Sequence, residues 1–391
     1  KRENEFKNFD IEEKDNDNID LIITAILLNV KSINEDEILK EILKCYYEDQ
    51  KRYDELFKFG SEEFILSLFN TTFGTSISSS EELAEVYKSL IFTYFATTLK
   101  DIKKVSRYSK YLLTDKATNV SVFINNLMRD KITKECFEKL SKEVEKEFGI
   151  DELLNSMDIE DYILSDAFES VDKYIIKYVV DKLFDGIGEY DIYKNYIDTR
   201  ENKYWFEKLS DEYNLLKVAI AFFRKIKQVE DSIKIVDIDR FAKDYADNFS
   251  EVDTLYRKVY FFFDSIENRD LFISLKNKIE NIYVNNFVSE LSIKWSDMIE
   301  NMSRYDSNRM VLQKDFYKKY IKPFNDKKDR IIVIISDAFR YECAKELNEK
   351  LKQFASKSDI TYMQGLVPSY TKLGMSALLP NKGLSRVKDS D

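Results

Sequence analysis

The sequence has 391 residues, 44% of them apolar and 34% charged, and a net charge of −11, which excludes a disordered chain and predicts a soluble protein of two or three domains at ~100–200 residues each. It contains no histidine, so no imidazole of this chain can act as base, proton shuttle or metal ligand. Its three cysteines, Cys45, Cys136 and Cys343, are too few and too scattered for a disulfide framework or a cysteine-based zinc site.

The charge is unevenly placed. Residues 321–391 hold 13 Lys and Arg against 9 Asp and Glu, a local +4, which leaves −15 for residues 1–320. The long acidic part repels nucleic acid as a whole, whereas the basic end suits an anionic substrate. No charged-apolar-small leader pattern opens the sequence, and the uncharged runs Leu21–Val30 and Ser89–Leu99 fall well short of the ~20 residues a membrane span needs. The expectation is a cytoplasmic protein with no membrane segment.

Proline occurs only at 323, 368 and 380, so the first 322 residues read as nearly all helix, divided at about 115/116 into helical regions 1–115 and 116–320. The charged run Glu12–Asp17 is read as solvated chain. Thr75–Ser80 is expected to be a loop, and Ser79 with Glu82 before Leu83 forms a capping box for a helix to about Leu99. Tyr162–Val171 is expected to be helical; it contains Ser165-Asp166-Ala167-Phe168, to which no function is assigned. Phe206, Leu209, Tyr213, Leu216, Ile220 and Phe223 advance by threes and fours along one helix face, and Ile279, Tyr283, Phe287, Leu291 and Trp295 make an i+4 ladder in a long helix. Such stripes are read as core rather than cofactor sites.

Between Asp306 and Arg330 the pattern breaks, at Pro323 and the charged cluster Asp326–Asp329. Ile331–Ile335 then reads as a strand buried on both faces. A helix follows to about Phe354, with Phe339, Cys343, Leu347 and Leu351 at i+4 and Cys343 on its buried face; Ile360–Leu366 is a second strand and Thr371–Leu379 a short helix. This β-α-β-α order opens a parallel α/β sheet. In such sheets ligands bind beyond the carboxyl ends of strands, where Asp337 can hold a divalent metal and the hydroxyls of Ser369 and Thr371 sit at a helix N-terminus that favours bound phosphate. Spacing alone equally allows Asp337, Ser369 and Thr371 to be helix caps. A strand ending in Asp also suits a Walker B element, but no Gly-x-x-x-x-Gly-Lys-Ser/Thr occurs, so the P-loop reading fails.

The stretches Ile332–Glu342 (IVIISDAFRYE) and Leu366–Pro380 (LVPSYTKLGMSALLP) together resemble the PglZ domain of BREX phage-defence systems, which is similar to the alkaline phosphatase superfamily. The resemblance implies a mainly α N-terminal region followed, over 328–391, by the beginning of an alkaline-phosphatase-like α/β parallel-sheet domain. It implies a metal-dependent phosphatase or phosphodiesterase with Thr371 as nucleophile, Ser369 as the fallback, Asp337 as metal ligand and zinc as the implied ion. Arg340 belongs to the motif, and its charge suits a phosphate contact. The superfamily completes its metal site with Asp and His residues further downstream, so this segment by itself is expected to be inactive. The implied partners are other BREX proteins and a phosphate ester, nucleic acid included. A rival expectation is a non-catalytic helical scaffold that docks other proteins of the defence complex.

Overall fold

The computed structural model describes residues 16–31, 33–230, 232–233, 237–302, 305 and 307–384. Glu12–Asp15 of the charged run, Asp306 at the expected break and residues 385–391 lie outside them. Helices make up most of the described residues before Val311, and no described helix is long and apolar enough to cross a membrane. Two compact units emerge. One takes the described residues up to Lys182 with Asp191–Tyr213; the other takes Leu183–Tyr190 and the described residues from Asn214 onward.

The first unit is built around helix Leu83–Thr98. This helix is apolar on nearly every face, and eleven of its residues, from Leu83 to Ala96, are buried. The expected capping box is present: Ser79 and Glu82 close a short 3₁₀ turn that leads into it. Phe69, Phe73, Phe92, Phe95 and Phe168 are fully buried in the unit's core.

The stretch Tyr162–Val171 is not one helix: residues 163–168 are non-helical. They form a turn between helices Ile159–Tyr162 and Glu169–Asp185, because Arg200 draws their carbonyls inward. Fully buried Arg200 donates to Ile163 O and Ser165 O, both at 2.7 Å, and to both Asp172 oxygens at 2.9 and 2.6 Å. Asp166 lies 3.3 Å from the same guanidinium and accepts the Tyr204 N–H at 3.0 Å. The Tyr213 hydroxyl donates to Asp172 at 2.6 Å, and Trp205 Nε1 to Asp166 O at 2.9 Å. The first Ser-Asp-Ala-Phe copy is therefore part of a structural ion cluster.

In the second unit the ladder Ile279–Trp295 runs through helices Asp270–Asn281 and Ser289–Glu300, joined by a π-helical turn at Ile282–Val288. Each i+4 step overruns an α-turn by about 0.4 residue, and a wider turn absorbs the drift. The ladder Phe206–Phe223 instead divides at Leu209 into helices Tyr204–Lys208 and Ser210–Glu230.

The last part departs most from expectation. Ile331–Ile335 has no regular secondary structure and no strand partner among the described residues, and Ile332, Val333, Ile334 and Ile335 are exposed. A parallel strand needs neighbours to take up its backbone groups, and none lies beside it here. The parallel pair that does form is β1 (Val311–Leu312) with β2 (Met363–Gln364), in register Val311 to Met363. β2 falls inside the expected second strand, whereas β1 was not expected. The described fold is thus mainly α with the start of a parallel α/β domain at its end.

Helix Tyr341–Leu351 follows the unpaired stretch. Of the expected i+4 stripe, Phe339, which precedes the helix, and Leu347 and Leu351 are exposed and Cys343 is half-buried, while Glu342 and Asn348 are buried. The helix docks through polar contacts instead. Lys345 Nζ reaches Ala246 O at 2.9 Å, and Glu346 pairs with Lys258 at 2.7 Å and with Arg257. Partial burial pushes the Glu346 carboxyl up, but Lys258 and Arg257 outweigh it and hold the group below its ordinary range. A lowered folded pKa means that the stabilisation is present above the unfolded pKa and lost as pH falls through the folded one. Glu346→Gln is expected to cost about 1 kcal/mol or less at neutral pH, since the pair is partly exposed. Urea unfolding near neutrality and again near pH 3 checks this; a difference that persists in acid would contradict it.

Candidate active site

Two glutamines fix the scaffold of the site. Buried Gln364 in β2 accepts the Ser307 N–H at 2.6 Å and donates to Tyr305 O at 2.8 Å, pinning the segment that leads into β1. Gln313, directly after β1, accepts the Leu366 N–H at 3.1 Å and donates to Gly374 O at 3.2 Å. It therefore ties the chain after β2 to helix Thr371–Leu378. A Cβ on Gly374 would meet Gln313 Nε2 at 3.1 Å, so the missing side chain allows this close approach. Nothing in the sequence pattern singled out Gln313; only the unforeseen β1 brings it there. Gln313→Ala is expected to speed amide exchange of Leu366 and of helix Thr371–Leu378, leaving β1–β2 protected; unchanged exchange would remove Gln313 from this role.

Asp337 and Thr371 meet on this scaffold. Thr371 Oγ1 donates to Asp337 Oδ2 at 3.3 Å although the two are 34 residues apart. Asp337 Oδ1 accepts the N–H of Ala338, whose φ of 55° turns the backbone sharply at this point. Both residues are exposed at the mouth of a cleft of about 250 Å³, lined also by Ser336, Pro368, Ser369 and Tyr370.

The capping alternative does not hold. The N-cap positions of the two helices belong to Arg340 and Tyr370, and neither helix has a side-chain cap. Thr371 is the first helical residue, placed beside N–H groups that have no partner within the helix. Ser369 shares the cleft, while Arg340 is not among its lining residues. The Arg340 charge acts instead toward the Tyr283 hydroxyl, which burial and the Asp253 carboxylate nonetheless hold above the ordinary phenol range.

The cleft thus offers one carboxylate, Asp337, and the hydroxyls of Ser336, Ser369, Tyr370 and Thr371. Among the described residues no group of three or more His, Cys, Asp or Glu side chains converges. A zinc ion takes four ligands, three of them from protein at a catalytic site, so the residues described do not by themselves make up the implied metal centre.

Residues 316–391 match the family described as the BREX system PglZ alkaline phosphatase-like domain. An "alkaline phosphatase-like protein PglZ" of Bacillus cereus (strain H3081.97) is 34% identical over 388 residues, covering 98% of this chain and 45% of the relative. An "alkaline phosphatase-like protein BrxZ" of Escherichia coli O9:H4 (strain HS) is 25% identical over 412 residues, covering 98% of this chain and 47% of the relative. The chain spans about half the length of the curated relatives it matches. No solved structure matches it.

Proposed function

The chain belongs to the PglZ family of BREX phage-defence proteins, and from that premise we propose that the intact protein hydrolyses a phosphate ester with Thr371 as nucleophile. The observation that carries this reading is the pairing of Thr371 Oγ1 with Asp337 Oδ2 at 3.3 Å, at the N-terminus of a helix and in a cleft open to substrate. Asp337 accepts the hydroxyl proton and so directs a lone pair of Oγ1 into the cleft. The helix N–H groups beside it favour the phosphoryl oxygens. Attack in line forms the Oγ1–P bond as the hydroxyl proton passes by way of Asp337 to solvent, and breaks the bond from phosphorus to the leaving oxygen, which takes a proton from water and departs as an alcohol. Water then cleaves the phosphothreonine, releasing phosphate or its monoester and restoring the hydroxyl.

Asp337 is also proposed as the ligand this chain offers to a divalent metal, zinc by family likeness, whose charge would neutralise the phosphoryl group when bound. The other donors are assigned to residues outside those described. Other BREX proteins are the proposed partners, and a phosphomonoester or phosphodiester, nucleic acid included, the proposed substrate.

The test is hydrolysis of a generic phosphomonoester and phosphodiester by the intact protein, with several divalent metals and with a chelator. Activity that the chelator removes and that Asp337→Asn lowers by about 100-fold or more is expected. An intact, folded protein silent with every metal would overturn the reading.

A further inference from the structure

Two cavities in the second unit share Met310 and Tyr362 in their walls. The smaller, of about 330 Å³, is walled by Phe241, Trp295, Tyr305 and Tyr341. Phe241 and Trp295 stand 5.1 Å apart between ring centres, and Tyr341 lies 6.3 Å from Tyr362. The larger, of about 1050 Å³, is polar and contains Arg309 and Lys319.

Most charges of the larger cavity are already engaged. Asp244 pairs with Arg240 at 2.8 Å, and Lys243 pairs with Asp247. Asp237 Oδ1 accepts the Arg240 N–H at 2.7 Å, and Asp239 Oδ1 accepts the Ser307 hydroxyl. Arg309 and Lys319 are exposed and make no ion pair among the described residues. One cavity is thus aromatic, and the other carries two cations outside any ion pair among the described residues, Lys319 standing 5.9 Å from the centre of the Tyr320 ring, together with two carboxylates that have a spare oxygen each.

We propose that this pair of cavities binds a nucleoside phosphate, with the base among Trp295, Tyr341 and Tyr362 and the phosphate on Arg309 and Lys319. Aromatic faces accept any base by stacking, and a guanidinium suits phosphate geometry. The spare oxygens of Asp237 and Asp239 match the hydroxyl donors of ribose, the role an acid plays at many nucleotide sites. The proposal does not rest on the hydrolysis reading, because Asp337, Ser369 and Thr371 line neither cavity. Free nucleotide and a nucleotide within a single strand share this chemistry.

Calorimetric titration of the full chain with adenosine diphosphate, adenosine, inorganic pyrophosphate and a short deoxyadenylate oligonucleotide, all with chelator present, tests it. Saturable binding of the diphosphate is expected, with adenosine and pyrophosphate each weaker by about tenfold or more. Arg309→Gln with Lys319→Gln should weaken the diphosphate by about tenfold and leave adenosine unchanged; Trp295→Leu should weaken both. Thr371→Ala should bind as wild type. Oligonucleotide binding tighter than the diphosphate and lost in the same variants would support the site and assign it to a strand. No saturable diphosphate binding, pyrophosphate binding as tight as the diphosphate, or indifference to the double substitution would each overturn the proposal. The substituted cations are exposed, so these variants keep the fold, which a thermal melt verifies.

Discussion

Thr371→Ala in the intact protein is expected to lower kcat/KM for a phosphodiester by about 10³-fold or more, with the melting temperature unchanged. The size follows from the role: without Oγ1 no covalent intermediate forms, and losing a nucleophile costs far more than losing a binding contact. The unchanged stability follows from the position, since Thr371 is exposed, opens its helix and caps nothing. Two companions sharpen the result. Thr371→Ser keeps a hydroxyl at the same site and should retain part of the activity. Ser369→Ala should be mild, because the Ser369 hydroxyl shares the cleft whereas Thr371 is the one bonded to Asp337. Full activity of Thr371→Ala with loss in Ser369→Ala would transfer the nucleophile to Ser369. Trapping a labelled phosphoenzyme and locating the modified residue decides the matter independently.

Arg200→Ala should be the most destabilising single change in the first unit, at about 3–5 kcal/mol. The guanidinium, fully buried, satisfies two carbonyls and both oxygens of the equally buried Asp172, and it faces Asp166. Its removal leaves the charge of Asp172 without its cation and two carbonyls without donors, and it opens a cavity the length of the side chain. Burial outweighs Arg200 and Lys203 in holding the Asp166 carboxyl above its ordinary range, so losing the guanidinium pushes this acid further towards its neutral form. Urea unfolding followed by the fluorescence of Trp205, whose indole N–H is bonded to Asp166 O, reports on this unit. A loss under 1 kcal/mol would show that water enters and replaces the guanidinium. Arg200→Met with Asp172→Leu removes both charges and should recover part of the loss.

What the sequence disclosed depended on how local the determinant was. The capping box at Ser79 and Glu82 needs only neighbouring residues, and it forms as read. A short helix, Thr371–Leu378, forms where the sequence placed one, whereas the hydrogen bond from its first residue to Asp337 is disclosed only by the structure. The misses are contacts between distant residues. A buried arginine reads in sequence as one more surface charge, so neither Arg200 nor the turn it imposes on Tyr162–Val171 was legible. β1 is two residues long and carries no strand pattern, and Gln313 gains its place only through β1. Conversely, Ile331–Ile335 has strong strand character and stays unpaired, because composition can favour an extended backbone but cannot provide the neighbour that a sheet requires. The i+4 stripe after it fails in the same way: the periodicity marks a helix correctly, yet the buried positions are Glu342 and Asn348.

That unpaired run bears on how the 391-residue polypeptide behaves at high concentration. Four consecutive exposed aliphatic side chains with no strand partner among the described residues form an adhesive site for any strand of matching length. Two copies can zip together there, and a holdase chaperone would grip the same residues. Precipitation of the isolated segment should therefore rise steeply with concentration. An Ile334→Lys substitution, at the most exposed of the four positions (88% accessible), should suppress it without disturbing either unit.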